Sequence, residues 1–345
     1  MTDTPLSILP IPLLQWYEEN ARELPWRQNI TAYRVWISEI MLQQTRVAAV
    51  IGYFTRFLEA FPTVEALAAA PEEQLLKLWQ GLGYYSRARN LQKAAKQIME
   101  RHGGTFPRQY EDIRALAGVG DYTAAAIASI AFGLPRAAVD GNLLRVAARV
   151  MGDDTDITTP AGKRHFSEAI SRILPVKYPG KFNQAMMDLG ATVCIPGGAP
   201  LCDRCPAAAF CQANRLGLQA ALPRRAKKKP RRIEQRNVYF FFRDRRVALR
   251  QRPDRGLLAK LWEFPNDTDP KQLWDLDLAS PARFAGVGKH VFTHIEWHMT
   301  GYTAYLAREE LPEGWVWATL EELWQVYSIP SAFSCFLQIV EKELG

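Results

Sequence analysis

From residue 31 to about 215 the spacing of apolar residues predicts an almost wholly helical region. Thr31–Thr45 has helix-forming content behind a capping threonine. Pro71 followed by Glu72 and Glu73 predicts a helix start, and Gly81 its end. Another helix is predicted from Ser86 to His102, stopped by Gly103 and Gly104. The apolar run Ala124–Phe132 packs like a buried helix ended by Gly133 and Pro135. Helices over Asn142–Met151 and Ala161–Leu174 follow, and then one from about Asn183 into a cysteine-rich loop.

Beyond residue 236 the period changes to two. Asn237–Phe242 and Arg246–Arg250 read as strands joined at Arg243–Arg245, and Trp297–Leu306 alternates like another. Thr319–Glu322 is a capping-box pattern, and Ser331–Leu344 predicts the last helix. The chain therefore reads as a mainly α N-terminal region followed by an α+β C-terminal domain. Between them, Pro223–Arg236 holds eight basic residues and one acid in fourteen, an exposed connector that could also touch a polyanion backbone.

A length of 345 residues suits about two domains, and 48% hydrophobic with 23% charged residues is a globular composition. A net charge of +7 raises the expectation of a polyanionic partner without proving one. The N-terminus has an acid at Asp3, no basic stretch, and prolines in its apolar run, unlike a secretory signal. No apolar segment reaches the ~20 residues of a membrane span. A soluble, intracellular protein is the expectation.

Three features carry candidate chemistry. In Leu116–Asn142, Gly118, Val119 and Gly120 form a tight turn before a helix, which suits backbone N–H groups approaching a phosphate. An ordinary helical hairpin with an Asp-Gly turn reads equally well. Cys194, Cys202, Cys205 and Cys211 follow the spacing C-x7-C-x2-C-x5-C, dense enough to enclose one metal centre, either zinc or a four-iron cluster. Zinc sites usually show two separated C-x2-C pairs, and only one is present here. Cys335 stands apart, and a core thiol is its expected state. Finally, Glu39 sits among Trp36, Ile37, Ile40, Met41 and Leu42, where a carboxyl with a raised pKa suits a general acid. Gln43 lies on the same helix face. Asp140 is the obvious second carboxylate, and two acids flanking a bond to a sugar carbon suit glycosidic cleavage. A solvated Glu39 on a polar stripe is the alternative.

With these features in order, the chain resembles the helix-hairpin-helix DNA glycosylases, and within them the adenine DNA glycosylases of the MutY type. The resemblance covers nearly the whole chain. It runs through Pro25-Trp26-Arg27, Ser38–Thr45, Gly81–Arg87, Leu116–Ala124 and Asn183–Gly190. It implies a helix-hairpin-helix catalytic domain over residues 1–222, with a six-helix part at about 30–134 and a cluster part at 1–29 and 135–222. A linker at 223–235 and a Nudix-like domain over 236–345 complete it. The implied activity is excision of adenine mispaired with 8-oxoguanine or guanine in duplex DNA, after the base is flipped out.

On that pattern Glu39 protonates adenine and helps water attack, while Asp140 stabilises the sugar cation with Asn142 and Tyr122 beside it. Trp26, Arg27, Leu42 and Asp188 line or order the adenine pocket. Gln44 takes a wedge position, and Thr45, Leu82 and Tyr84 meet the opposing lesion. Phe292, Thr293 and His294 match the loop that reads 8-oxoguanine, and the four cysteines would hold a [4Fe–4S] cluster. The expected protein is a nucleoid-associated cytoplasmic monomer that uses no membrane.

Four departures from the pattern matter. The first cysteine gap is seven residues rather than six, Ala117 replaces a proline, and Thr293 replaces a serine. Tyr122 stands where strand-cutting relatives carry lysine, and Leu144 offers no amine either, so a glycosylase with weak or no lyase activity is expected. No G-x5-E-x7-R-E-x2-E-E box is present, which argues against nucleotide hydrolysis. The rivals are an endonuclease III-like lyase for oxidised pyrimidines and a DNA-binding protein with a purely structural metal loop.

Overall fold

A computed structural model of the protein describes residues 4–197, 199–226, 230–268 and 276–345. Gly198 of the cysteine loop, linker residues 227–229 and Asp3 lie outside the described residues. The chain divides into two compact units, Met1–Ala69 with Asn90–Lys227, and Ala70–Arg89 with Lys228–Gly345. Ala70–Arg89 thus folds with the C-terminal unit, which no composition shift in the sequence announces.

The first unit is helical: α1 (Pro5–Ile8), α2 (Pro10–Asn20), α3 (Ala32–Leu42), α4 (Val47–Ala60) and α5 (Val64–Ala69) precede the excursion through α6 (Glu72–Trp79). Then come α7 (Ser86–His102), α8 (Tyr110–Arg114), α9 (Asp121–Phe132), α10 (Gly141–Met151), α11 (Pro160–Ile173), α12 (Pro179–Thr192) and α13 (Gln212–Leu216). Thr31 caps α3 by accepting from the Arg34 N–H, as its side-chain type predicts. α9 begins three residues before the apolar run, because Gly120 supplies the extended residue at its start. It ends at Gly133, which adopts a left-handed φ of 68°. α12 starts at Pro179, four residues ahead of the predicted start, since proline at the first helical position costs no hydrogen bond. α2 lies ahead of the region whose spacing predicts helices, and α4 lies inside it without a start or stop signal of its own. α2 opens on two prolines, which hid it, while α4 follows α3 after only four residues.

One core of this unit is built on α10 and α12, with Leu143, Val146, Phe166, Phe182, Met186 and Leu189 wholly or almost wholly buried. Cys194, Cys205 and Cys211 pack against its edge, so the cysteine loop is a wall of the core rather than an appendage.

The second unit is built on a mixed sheet with seven strands among the described residues: β1 (Arg232–Arg243), β2 (Arg246–Gln251), β3 (Trp262–Glu263), β4 (Asn266–Asp267), β5 (Arg283–Val291), β6 (Ile295–Tyr305) and β7 (Trp315–Ala318). The strand order is β3-β2-β1-β6-β5, with β1 and β6 parallel, while β4 pairs with β1 and β7 with β2. β1 is buried on both faces. Val238, Phe240 and Phe242 enter one core and Tyr239 and Phe241 the other, which explains its unbroken apolar run. β1 begins at Arg232, inside the basic connector, because the backbone there pairs with β6 from Ile295 onward. The turn at Asp244 and Arg245 has φ of 46° and 56°, as a two-residue hairpin of the primed type requires. α14 (Leu320–Gln325) carries the complete capping box at Thr319 and Glu322. The predicted last helix divides into a 3-10 segment, Ser331–Phe336, and α15 (Leu337–Leu344). No helix among the described residues is long and apolar enough to cross a membrane.

Candidate active site

Within the helical unit a cavity of about 480 Å³ gathers most of the predicted excision residues. Trp26, Arg27, Glu39, Leu42, Gln44, Thr45, Tyr122, Asp140 and Asn142 all line it. Its size falls in the range of small-molecule sites. Glu39 is only 6% exposed, so the solvated alternative is excluded. Helical spacing from Glu39 brings Gln43 to the same wall, where its amide donates to Thr123 Oγ1 at 3.3 Å.

The electrostatics follow from burial. Loss of water pushes the Glu39 carboxyl up to about 7. The Tyr122 hydroxyl, donating to Glu39 Oε2 at 2.7 Å, opposes that rise, and nearby Asp140 adds to it. Burial, with Glu39 and Asp140 nearby, holds the Tyr122 hydroxyl well above its ordinary value, so it remains a donor.

Asp140 occupies the cap position of α10. Its Oδ1 accepts from the Asn142 and Leu143 N–H groups at 2.8 and 2.9 Å, and Asn142 Nδ2 donates to Oδ2 at 2.7 Å. Burial raises this carboxyl, while those three donors and the positive end of the helix favour its ionised form. Two carboxyls in one cavity are therefore placed in different environments. One is held as an acid near neutrality, and the other sits in a nest of donors that suits an anion.

Asp188 does not line the cavity; it stands behind it with no exposed surface. Burial acts to raise Asp188, yet the Arg27 and Arg22 guanidiniums hold it below the usual carboxylate value. Arg27 grips it through two bonds of 2.7 and 2.8 Å, and Arg22 Nε donates at 2.7 Å. Asp188 thereby orders the arginines of the wall. The sequence reading overlooked Arg22, Gln184 and Met187 as lining residues. Nothing in local spacing ties Arg22 to a carboxylate 166 residues away. Arg145 was missed as well, although its place three residues after Asn142 was a readable signal. Its side chain bonds Asn142 Oδ1 at 2.9 Å, the Gly190 carbonyl at 2.7 Å and the Cys194 carbonyl at 2.8 Å.

The hairpin turn lies between α8 and α9. Gly118 has φ of +75° and lies against Asn90, so a side chain there would be strained and would clash. Val119 N–H bonds the Leu116 carbonyl at 3.1 Å, closing the turn.

The four cysteines line a second, mostly apolar cavity. Burial pushes the Cys205 thiol up to about 12, so metal must displace its proton to make a thiolate. Arg149 is almost fully buried and places Nη1 3.3 Å from Cys194 Sγ, positive charge beside a prospective thiolate. Four thiols around one cavity with a buried cation fit an anionic cluster. Among the described residues no three such side chains converge as a single-ion site.

Leu82, Tyr84, Phe292, Thr293 and His294 belong to the second unit. Tyr84 Oη and Thr293 Oγ1 are 2.9 Å apart. The Phe292 N–H bonds the Ile295 carbonyl at 2.9 Å, closing a tight turn that leaves Thr293 and His294 exposed.

A buried acid, a carboxyl nested in donors and a glycine hairpin thus share one helical frame. Residues 37–172 match the HhH-GPD superfamily base excision DNA repair protein, and residues 237–338 match the NUDIX domain. The helical part superposes on a thermostable thymine-DNA glycosylase at 27% identity and a TM-score of 0.57, covering 61% of this chain and 97% of that one. The chain is 37% identical to the adenine DNA glycosylase of Rattus norvegicus, over 90% of its own length and 73% of the relative's. The Homo sapiens adenine DNA glycosylase is 36% identical over 90% and 70% of the two chains. The chain belongs to the adenine DNA glycosylase family. It is an enzyme of base excision repair that acts on DNA and removes adenine by hydrolysing an N-glycosyl bond.

Proposed function

We propose that the adenine removed is the one mispaired with 8-oxoguanine or guanine, and that the enzyme releases it without cutting the strand. The observation that carries the chemistry is that Glu39, a carboxyl that burial raises to about 7, lines one cavity together with Asp140. An extruded adenine enters beside Trp26, Arg27 and Leu42, and Glu39 donates its proton to the base as the bond to the sugar breaks. Asp140, held anionic by Asn142 and the start of α10, stabilises the positive sugar carbon, and water completes the hydrolysis with Glu39 as base. Tyr122 keeps Glu39 aimed. Among the described residues the cavity lining offers no lysine for a Schiff base, so strand cleavage is not expected.

Gly118 and Gly120 present backbone donors to a phosphate, while the Val119 N–H holds the turn closed on the Leu116 carbonyl, and Gln44, at a left-handed φ of 60°, projects as the wedge beside Thr45. Leu82, Tyr84, Phe292, Thr293 and His294 meet the base opposite. Cys194, Cys202, Cys205 and Cys211 would hold a [4Fe–4S] cluster, which supplies a rigid anionic core for their loop. One chain carries every part named, so a monomer suffices.

The test is a duplex with adenine opposite 8-oxoguanine, followed by alkali. Breaks at the adenine only after alkali support the reading, and breaks without alkali overturn the monofunctional part of it. Purified protein should contain iron and absorb broadly in the visible; a colourless protein with one zinc overturns the cluster.

A further inference from the structure

Arg87 has no role in anything described so far. It follows the turn between α6 and α7, where Gly81, Gly83 and Tyr84 all have left-handed φ, of 100°, 68° and 48°. Glycine accepts that state freely, but an aromatic residue does not, so Tyr84 needs outside support. Arg87 provides it. The residue is 8% exposed, and Nη2 donates to the Leu82 carbonyl at 3.0 Å and the Gly83 carbonyl at 3.2 Å. Trp79 Nε1 donates to the same Gly83 carbonyl at 3.0 Å. The guanidinium carbon lies 5.4 Å from the ring centres of both Trp79 and Tyr84. The Tyr84 ring is thus held at its face by Arg87 and at its hydroxyl by Thr293. Burial lowers Arg87 to about 10, which still leaves it charged at neutral pH.

We infer that Arg87 is a positioning residue for the opposite base: it fixes the Leu82–Tyr84 turn so that Tyr84 meets Thr293, and thereby sets the preference for 8-oxoguanine over guanine. This rests on the proposed reading of Tyr84 and Thr293 as contacts of that base. A guanidinium suits the task because its flat face lies over the Trp79 and Tyr84 rings while Nη2 reaches both carbonyls, whereas lysine offers only a point charge. Arg87 touches no reacting atom, so its loss should alter discrimination rather than the chemical step.

The experiment measures single-turnover adenine release by the full chain from duplexes with adenine opposite 8-oxoguanine and opposite guanine. Arg87→Met should slow the first roughly tenfold and the second by less than about threefold, a selective loss of transition-state stabilisation. Arg87→Lys should fall between, and Arg87→Met should add nothing in a Tyr84→Phe/Thr293→Ala background. A purely structural role would slow both duplexes equally and overturn the inference, as would an unchanged ratio. If Arg87→Met does not fold, Arg87→Lys decides, and a native ratio there overturns the inference. If Tyr84→Phe and Thr293→Ala leave the ratio unchanged, the underlying reading fails too. If they change it while both Arg87 variants do not, only the Arg87 role fails.

Discussion

Glu39 shows how surroundings change the chemistry of a single side chain. A glutamate on a helix is usually solvated, and apart from the family resemblance only its apolar neighbours in sequence hint otherwise. Burial raises its folded-state value from 4.5 to about 7, so the folded protein binds this proton more tightly than the unfolded chain does. The associated stability is fully present below about pH 4.5 and is lost as pH rises through 7. Glu39→Gln removes that penalty, so the variant should be more stable than the native protein at pH 8, by ~1–3 kcal/mol, and the gain should vanish near pH 4.5. Thermal melts at the two pH values check this; a gain independent of pH would contradict the burial argument. The same variant should bind the mispaired duplex and release no adenine. In the native enzyme, the single-turnover rate should fall as pH rises above about 7, because the acid form is lost. Asn142→Ala removes one of three donors to Asp140, so Asp140 titrates at higher pH. The low-pH limb of the rate profile should move upward and the maximal rate should drop roughly tenfold or more. An unmoved low-pH limb would show that Asn142 does not tune Asp140.

α12 is the element that holds these residues in register. Asn183 bonds the Ala138 N–H, the Ser129 hydroxyl and the Arg136 carbonyl, tying down the stretch that leads to Asp140. Met187 Sδ packs 3.8 Å from the Tyr122 hydroxyl, whose proton goes to Glu39, and Asp188 orders Arg22 and Arg27. Gly190 lies against Asn142, where a Cβ would come within 2.6 Å of the Asn142 Cβ. Alanine normally favours a helix over glycine by ~0.5–1 kcal/mol, but overpacking costs ~1–3 kcal/mol, so the clash wins. Gly190→Ala should slow adenine release roughly tenfold, and much less so in an Asn142→Gly background, where the clashing atom is gone. Equal effects in both backgrounds would refute the contact as the cause. The helical period and the Asn183–Gly190 motif made this element legible. Its contacts were not, because they join residues 45 to 166 positions apart.

At the scale of the molecule, the C-terminal compact unit takes in a segment from the helical part of the sequence as well as residues 228–345. It includes Ala70–Arg89, tied by Lys77 Nζ to the Tyr327 carbonyl at 3.0 Å, Gln80 Nε2 to the Ile329 carbonyl at 3.2 Å, and Arg89 Nη2 to the Ala259 carbonyl at 2.7 Å. Removing residues 228–345 strips these partners, so hydrogen exchange should rise in residues 70–89, and preference for 8-oxoguanine over guanine should fall more than the rate opposite guanine. Unchanged protection of residues 70–89 would mean that the segment holds itself.

The sequence by itself determined the fold class, the hairpin, the cysteine set and the two carboxylates, because periodicity, glycine turns and ligand spacing are local properties. It also carried the family, through ordered motifs over most of the chain. Only the tertiary structure decided that Glu39 is buried and Asp140 nested in donors, that Asp188 acts through Arg22 and Arg27, and that Arg87 holds Tyr84. Burial and charge pairing are summed over residues far apart in the chain, and no local pattern contains that sum.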